Sequence, residues 1–272
     1  MKGFRFFIFA GILSLFSLQI LGCSSREEKM YKEAQDELEQ NHFHIAEALL
    51  EKITLREPRS EVGLKATRDA ARVAFFEIKD FKKSEQFYQL LVLSSPDANE
   101  RLFAQKQIAS VFMDHLQDYP KAVSELNKLI SMLTDLAERA KYKMLLARAY
   151  YYQNNFAQAQ NEAEEFLRGN ISDNDRFDMM MLKGNIHLAE KNLQKAADVF
   201  RELMQKFPQR AKQDNVGLTL AVCYEEMKDY KNAIATLEIL KQTHPMPEYI
   251  DVRIKRLSEM ARNQPGARGF RK

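Results

Sequence analysis

Six segments of the sequence align without gaps, and their even spacing constrains the fold more than any other feature. Each begins with an apolar residue, here called the opening residue. Successive opening residues are 38, 38, 37, 37 and 37 positions apart: Phe43, Phe81, Tyr119, Phe156, Leu193 and Tyr230. A period of roughly 20–50 residues is typical of solenoids, in which each unit packs against its neighbours. The spacing therefore predicts six copies of one supersecondary unit.

The pattern after each opening residue predicts one helix. Offsets 0, 3, 7 and 10 carry apolar or small residues in all six segments and form a single helical stripe. Five of the six residues just before the opening residue are Asp or Asn, whose side chains accept bonds from free amides at a helix start. Proline at offset 15 ends the helix in four units: Pro58, Pro96, Pro208 and Pro245.

The residues ahead of each opening residue predict a partner helix. Nine positions before it the side chains are mostly small: Ala34, Arg72, Ser110, Ala147, Gly184 and Ala221. Six positions before it they are mostly large: Glu37, Phe75, Met113, Tyr150, His187 and Tyr224. Small beside large, one turn apart, lets two antiparallel helices approach closely. We therefore expect an all-α fold of about six helix pairs.

This unit resembles the tetratricopeptide repeat, in which two helices cross at small residues and proline follows the second. The resemblance covers about residues 27–245, so residues 29–245 are assigned to repeats, and it implies a right-handed superhelical solenoid whose first helices line a concave face. The period exceeds the usual length of about 34 residues. Longer units resemble the repeats of periplasmic proteins, among them BamD-type lipoproteins of outer-membrane barrel assembly.

The segment after the repeats is expected to close the end of the solenoid. Residues 246–262 are predicted to form a capping helix that covers the last unit with its apolar side chains: Tyr249, Ile250, Ile254, Leu257 and Met260. Residues 263–272 form a basic tail that we expect to be disordered.

The N-terminus predicts an export signal. Lys2 and Arg5 precede fifteen mostly apolar residues, 6–20. This run is shorter than the roughly 20 residues of a membrane-spanning helix. It ends Ile-Leu-Gly-Cys at residues 20–23, which resembles the lipobox of bacterial lipoproteins.

The lipobox resemblance implies that residues 1–22 are removed and that Cys23 carries acyl chains, followed by a linker to residue 28. Several acyl chains form a stable membrane anchor. Ser24, in place of aspartate, favours the outer membrane, with the protein facing the periplasm. The alternative is a plain signal peptide with an incidental cysteine.

Charge and cysteine content limit the chemistry. Loss of Lys2 and Arg5 with the signal lowers the formal net charge from +3 to +1, which argues against a nucleic-acid partner. Cys223 is then expected to be a small, buried, inert thiol. The histidines of His42-Phe43-His44 cannot share a helix face, so solvated capping is a better interpretation than metal binding. With no catalytic or phosphate-binding motif, we expect neither an enzyme, nor a cofactor, nor a small-molecule substrate.

Helical geometry predicts a binding groove on the first helices. Positions five, eight and twelve before the opening residue point away from the partner helix, and they include Val111, Asp114, Arg148, Tyr151, Asn185, Leu188, Val222 and Glu225. Tyr151 and Tyr152 cannot share a face with Tyr150 and should turn toward the groove or a neighbouring unit. Exposed tyrosine beside arginine is typical of binding hot spots. In the run Met179 to Met181 at least one side chain should lie in the core, and Met181 is a candidate for the groove.

These features favour a non-catalytic, lipid-anchored adaptor that holds other envelope proteins in the periplasm. The first specific hypothesis is a BamD-like role in outer-membrane protein assembly. The alternatives are a pilotin-like factor for a secretin or type IV pilus, and a regulator of a cell-wall enzyme. Fold alone does not separate them, because function depends on local sites.

Overall fold

The protein is described here by a computed structural model that covers residues 26–242 and 244–264. The predicted signal peptide, Cys23 and most of the basic tail lie outside these residues. Within the described ranges the regular secondary structure is helical. The first helices of the six repeats are α1 (Arg26–Glu39), α3 (Glu61–Arg72), α5 (Ala98–Ser110), α7 (Leu136–Tyr152), α9 (Asp173–Ala189) and α12 (Val216–Glu226).

The second helices begin at the six opening residues, as predicted. They are α2 (Phe43–Arg56), α4 (Phe81–Ser94), α6 (Tyr119–Met132), α8 (Phe156–Leu167), α10 (Leu193–Lys206) and α13 (Tyr230–Lys241). A short helix, α11 (Pro208–Gln213), links the last two repeats, and α14 (Pro247–Arg262) follows the sixth. The all-α architecture of helix-pair repeats followed by a C-terminal helix is thereby confirmed.

Two π-helical turns explain why two of the six units are one residue longer. The turn Val73–Ile78 continues α3, and Val111–His115 continues α5. After these turns the amides of Asp80 and Asp118 bond to carbonyls six residues back, at Ala74 and Phe112. In the other four units the equivalent amide bonds five residues back. The π turn therefore absorbs the extra residue.

The inserted residue corrects the predicted small-residue positions in the second and third repeats. Arg72 is exposed and Ser110 is half-buried, whereas Ala71 and Ala109 are buried. The small side chains that allow close helix approach therefore stand one position earlier than the gap-free alignment predicts. Val111, predicted to face the groove, is fully buried for the same reason.

The tight turn inside each repeat requires a left-handed residue two positions before the opening residue. The six residues with φ between 50° and 61° at this position are Asn41, Lys79, Gln117, Asn154, Lys191 and Lys228. The next side chain accepts a bond from the amide three residues later at Asp80, Asp118, Asn155 and Asp229. The caps predicted at His42 and Asn192 are wrong: His42 Nδ1 lies 2.7 Å from Glu37, and Asn192 donates to Glu190.

The predicted stripe of each second helix is buried at offsets 3, 7 and 10, whereas the opening residue itself is half-buried in every repeat except the sixth. The small residues at offset 3 are fully buried in all six units: Ala46, Ser84, Ala122, Ala159, Ala196 and Ala233. In the fifth repeat, an added Cβ at Gly184 would lie 2.5 Å from the Phe200 ring, so the helices are in close contact there. The apolar pattern thus fixes how each pair packs.

The chain divides into two compact units, and the boundary lies between Gln107 and Ile108. The described part of the N-terminal unit, residues 26–107, buries Leu50, Ile53, Tyr88 and Leu91 together with several hydroxyl groups. The C-terminal unit, residues 108–264, has two apolar clusters. One surrounds Phe177, Phe200 and Tyr224, and the other surrounds Phe166, Met179 and Ile186.

The C-terminal helix covers the sixth repeat with a narrower face than predicted. Ile250 and Leu257 are fully buried, and Ile254 packs against the same cluster. Tyr249 and Met260 are exposed and do not contribute to the cap. In the described ranges, no helix has both the length and the apolar character needed to cross a bilayer.

Candidate functional site

Three first helices of the C-terminal unit present the predicted groove positions in register. The nine residues at positions five, eight and twelve before the opening residue are all half-buried: Met144, Arg148, Tyr151, Met181, Asn185, Leu188, Leu218, Val222 and Glu225. We call these nine residues the candidate face. They lie on α7, α9 and α12, which are equivalent helices of successive repeats. Side chains anchored at the core edge and still reachable by solvent are suited to binding a partner.

One row of the candidate face is apolar and adaptable. The position twelve residues before the opening residue holds Met144, Met181 and Leu218, each packed at the margin of a core cluster. Of the methionine run, Met179 and Met180 are buried, which leaves Met181 for the surface as the sequence suggested. Methionine fills irregular contact surfaces because its thioether chain is flexible and polarisable.

The central row, at the position eight residues before the opening residue, is more polar and contains Arg148, which lies near a carboxylate. Arg148 Nη2 lies 4.0 Å from Asp178 Oδ2, with both side chains partly exposed. Asp178 also accepts a bond from Arg210 of α11, whose guanidinium lies 4.3 Å above the Phe177 ring. Asp178 therefore serves two arginines, and its long contact to Arg148 leaves that guanidinium available to a second carboxylate.

Asn185 and Val222 complete the central row. Among the described residues, no side-chain hydrogen bond engages the amide of Asn185. A half-buried amide can donate and accept hydrogen bonds with an extended peptide backbone. The row therefore offers a cation, an amide and an apolar contact in successive repeats.

The tyrosine run ends the candidate face in an aromatic cluster. Tyr152 is 50% exposed and stacks on Tyr119 of the preceding repeat, with ring centroids 5.0 Å apart. Tyr151 contacts the edge of Tyr152 at 5.5 Å and lies 5.9 Å from Phe156. Tyr152 thus turns toward the preceding repeat, and half of its surface stays exposed. Tyrosine offers a large, rigid contact area with little loss of conformational entropy.

Glu225 is already engaged within the chain. Its carboxylate accepts a bond of 3.1 Å from Arg253 and a second one from Arg256, both on α14. Gln264, two residues beyond the end of that helix, also donates to the carbonyl of Lys228 at 2.8 Å. Glu225 therefore joins the C-terminal helix to the sixth repeat, a role that the repeat pattern did not indicate.

A cleft between α9 and α10 was not predicted. Its volume is about 200 Å³, and it is lined by Leu167, Arg176, Met180, Lys183, Val199, Glu202 and Lys206. Arg176 is fixed there by bonds to the carbonyls of Leu167 and Gly169. The signal in the sequence was the seven-residue spacing of Arg176 and Lys183, which places two cations on one helix face.

Cys223 is buried within the same unit. Burial raises the pKa of its thiol to about 11. It is a free cysteine and stays protonated near neutral pH, as expected for an inert core thiol.

These features define the chain as a helical-repeat protein with a half-buried face on successive first helices. Two models described as tetratricopeptide repeat match it, over residues 144–211 and 187–253. The part of the chain from residue 144 to residue 253 therefore matches the tetratricopeptide repeat. A search of the curated proteins finds no match.

Solved structures show the same fold. A tetratricopeptide repeat protein from Parabacteroides merdae ATCC 43184 superposes with a TM-score of 0.51 at 15% identity, over 88% of this chain and 94% of that one. A chain of the Naa15/Naa10 structure bound to HypK-THB superposes with a TM-score of 0.58 at 11% identity, over 86% of this chain and 39% of its own length. At these identities the likeness concerns the fold alone.

Proposed function

We propose that the protein is a non-catalytic, lipid-anchored adaptor that holds another envelope protein in the periplasm. The observation that carries this proposal is the candidate face, whose nine positions are half-buried in register on three successive helices. Such a surface can follow an extended or helical segment of a partner over several repeats. The anchor is proposed from the lipobox ending in Cys23.

The chemistry of the face indicates how a partner would be held. Met144, Met181 and Leu218 would pack against apolar side chains, and Asn185 would bond to the partner's backbone. Arg148 would pair with an acidic group, while Tyr152 and Tyr119 would cover one end of the segment. Binding by many adaptable contacts requires no cofactor and no reactive group.

The partner class that we favour is the outer-membrane barrel-assembly machinery, after the resemblance of the long repeats to BamD-type lipoproteins. Affinity purification of the native lipidated protein from detergent-solubilised membranes tests this. We expect an outer-membrane assembly protein in the eluate. A secretin, a pilus component or a cell-wall hydrolase would instead identify one of the alternatives. An eluate with none of these classes would overturn the adaptor role in the envelope.

A pair of variants tests whether the candidate face is the binding site. Asn185→Lys adds bulk and charge at the centre of the face, whereas Gln205→Lys adds the same side chain at an exposed position of α10. We expect Asn185→Lys to lose the partner and Gln205→Lys to retain it, with both variants equally stable in denaturant. Equal recovery of the partner by both variants would place the binding site elsewhere.

The anchor has a separate test. Mass spectrometry of the mature N-terminus should find acyl chains on Cys23, and Cys23→Ser should release the protein from membranes. Fractionation should place the native protein with outer-membrane markers. An unmodified Cys23 in the native protein would refute lipidation and leave the binding face untouched.

A further inference from the structure

One edge of the N-terminal unit gathers the starts of first helices and the ends of second helices. Arg56, the last residue of α2, lies 3.8 Å from Glu27 in the first turn of α1. The hydroxyl of Thr67 in α3 donates to that of Thr54 in the last turn of α2 at 3.0 Å. The helices that follow repeat this arrangement, so the end of α4 lies on the same edge.

Two leucines on this edge are largely exposed. Leu55 and Leu93 stand twelve residues after their opening residues, in the last turns of α2 and α4. Their exposed fractions are 70% and 75%. The fourth to sixth repeats place Arg168, Gln205 and Gln242 at this position. Burial of a leucine releases free energy in proportion to the apolar area removed from water, so an aligned pair left in solvent points to an apolar environment outside the chain.

Three exposed cations stand near the first leucine. Lys52, Arg56 and Arg59 are exposed within four residues of Leu55, and the carboxylates in the same span, Glu51 and Glu57, are half-buried. An exposed apolar side chain with a surrounding group of Lys and Arg is typical of protein surfaces that lie in the interface of an anionic membrane.

The anchor must emerge at this edge. Only Ser24 and Ser25 separate Cys23 from Arg26, where α1 begins. A fully extended chain would place Cys23 at most about 11 Å from Arg26. Acyl chains on Cys23 would therefore hold the start of α1, and the end of α2 beside it, close to the phospholipid headgroups.

We propose that this edge of the N-terminal unit rests on a phospholipid surface. Leu55 and Leu93 enter the interface between headgroups and acyl chains, and Lys52, Arg56 and Arg59 lie against lipid phosphates. The inference rests on the proposed lipidation of Cys23. It adds that the membrane is a second docking partner, which orients the N-terminal unit as well as tethering it.

Site-specific labels on the full lipidated chain test the contact. Leu55→Cys and Leu93→Cys would each carry an environment-sensitive fluorophore, with Cys223→Ala removing the other free thiol. The matched control is Ile45→Cys, at a residue that is 53% exposed near the opposite end of α2. Ten residues of helix separate it from Leu55 by about 15 Å. Each protein would be reconstituted into vesicles of phosphatidylethanolamine and phosphatidylglycerol, with or without nitroxide-bearing lipid.

We expect the labels at positions 55 and 93 to be quenched severalfold more by the nitroxide lipid than the label at position 45. Replacement of phosphatidylglycerol by phosphatidylcholine should reduce that difference, because the cations lose their anionic partners. Equal quenching at all three positions, in protein that floats with the vesicles and carries acyl chains, would overturn the membrane contact while the anchor stands. A native N-terminus without acyl chains would overturn the anchor and this inference together.

Discussion

The two units of the chain stabilise the same repeat in different ways. In the N-terminal unit, buried polar groups link successive helices: the hydroxyl of Thr67 bonds to Thr54, and that of Ser84 bonds to the carbonyl of Ala71. Lys83 of α4 lies 3.0 Å from the carboxylates of both Glu47 and Glu51 on α2. The second repeat is thus attached to the first by hydrogen bonds and ion pairs as well as by apolar contact.

The C-terminal unit depends more on aromatic and sulfur-containing side chains. Phe177, Phe200 and Met179 are fully buried there. The absence of a side chain at Gly184 leaves the space that the Phe200 ring fills, and Ala196 lies in the same apolar cluster as Phe200. The comparison shows that one repeat pattern can be built with polar junctions or with apolar packing. The apolar unit also carries the candidate face, whose half-buried rows stand at the margins of these clusters.

The largest loss of stability is expected when Phe200, in the core of the C-terminal unit, is replaced by alanine. Phe200→Ala removes a fully buried ring and should lower the free energy of unfolding by about 3–5 kcal/mol. Because repeats contact only their neighbours, hydrogen exchange should accelerate first in residues 173–242. Protection of residues 26–94 should change little. Uniform acceleration of exchange along the chain would show that the two units unfold together and that their stabilities are not independent.

The helix crossings should tolerate no added volume. Ala196 is fully buried, whereas Ala157 is exposed in the first turn of α8. Ala196→Leu forces three heavy atoms into a packed contact and should cost about 1–3 kcal/mol. Ala157→Leu should cost almost nothing. Denaturant melting of the two variants makes the comparison, and equal stability would mean that the crossing is not tightly packed.

The second helices were predictable because their stripe is set by local periodicity and by residue size. The first helices of the second and third repeats were predicted one position out of register, as Arg72 and Ala71 show. The spacing revealed an extra residue in these units but not where the backbone would absorb it. A π turn can form at several positions of a helix, so packing has to decide between them.

The candidate face was predictable for the residues whose neighbours also belong to repeats. Met181 and Asn185 are half-buried as helical geometry required. Glu225 was different, because its partners Arg253 and Arg256 lie on α14. That helix follows the last repeat, so no periodic alignment relates it to the others. Its contacts depend on how a terminal helix settles on the open edge of the sixth repeat.

A smaller loss of stability is expected when the ion pairs of Lys83 with Glu47 and Glu51 are removed. In the part of the chain that the structure describes, the equivalent position in the next repeat, Lys121, has no ion pair with the preceding second helix and serves as the comparison. Lys83 and Lys121 each stand two residues after an opening residue. Lys121 is exposed: its ammonium lies 3.2 Å from Asp118, three residues earlier, and 5.2 Å from the centroid of the Phe112 ring. Lys83→Met leaves the nearly buried carboxylate of Glu47 without its cation and should cost about 1–3 kcal/mol. Lys121→Met should stay within about 0.5 kcal/mol. Similar melting of both variants would show that the junction contributes nothing measurable.

The smallest change in stability is expected at His187, a buried titratable residue of the C-terminal unit that lacks one of its possible hydrogen bonds. His187 is 4% exposed, and its Nδ1 has no hydrogen-bond partner among the described residues. Glu190 Oε2 lies 3.8 Å from that atom. The imidazole of His187 is therefore buried with one ring nitrogen that makes no hydrogen bond to any residue that the structure describes.

The surroundings of His187 determine whether protonation of its imidazole stabilises or destabilises the fold. Burial lowers the pKa of the imidazole below its ordinary value of 6.5, as do Lys183 and Lys195, while Glu190 and Glu164 act in the opposite direction. The unfolded chain therefore binds this proton at a higher pH than the folded chain does. The free energy of unfolding should decrease as the pH falls through about 6.5, and it should be unaffected by His187 well above that value.

His187→Gln should remove this acid sensitivity, whereas His44→Gln, at an exposed position of α2, should leave it unchanged. Denaturant melting at several pH values from neutral to mildly acidic measures the slope of the free energy of unfolding against pH. Hydrogen exchange shows which residues lose protection as the pH falls. Exchange should accelerate in residues 173–206 and not around Lys83, because bonds to Glu51 and Glu47 outweigh burial and raise the pKa of that ammonium above 10.5. An unchanged slope in His187→Gln would mean that the acid response belongs to other groups.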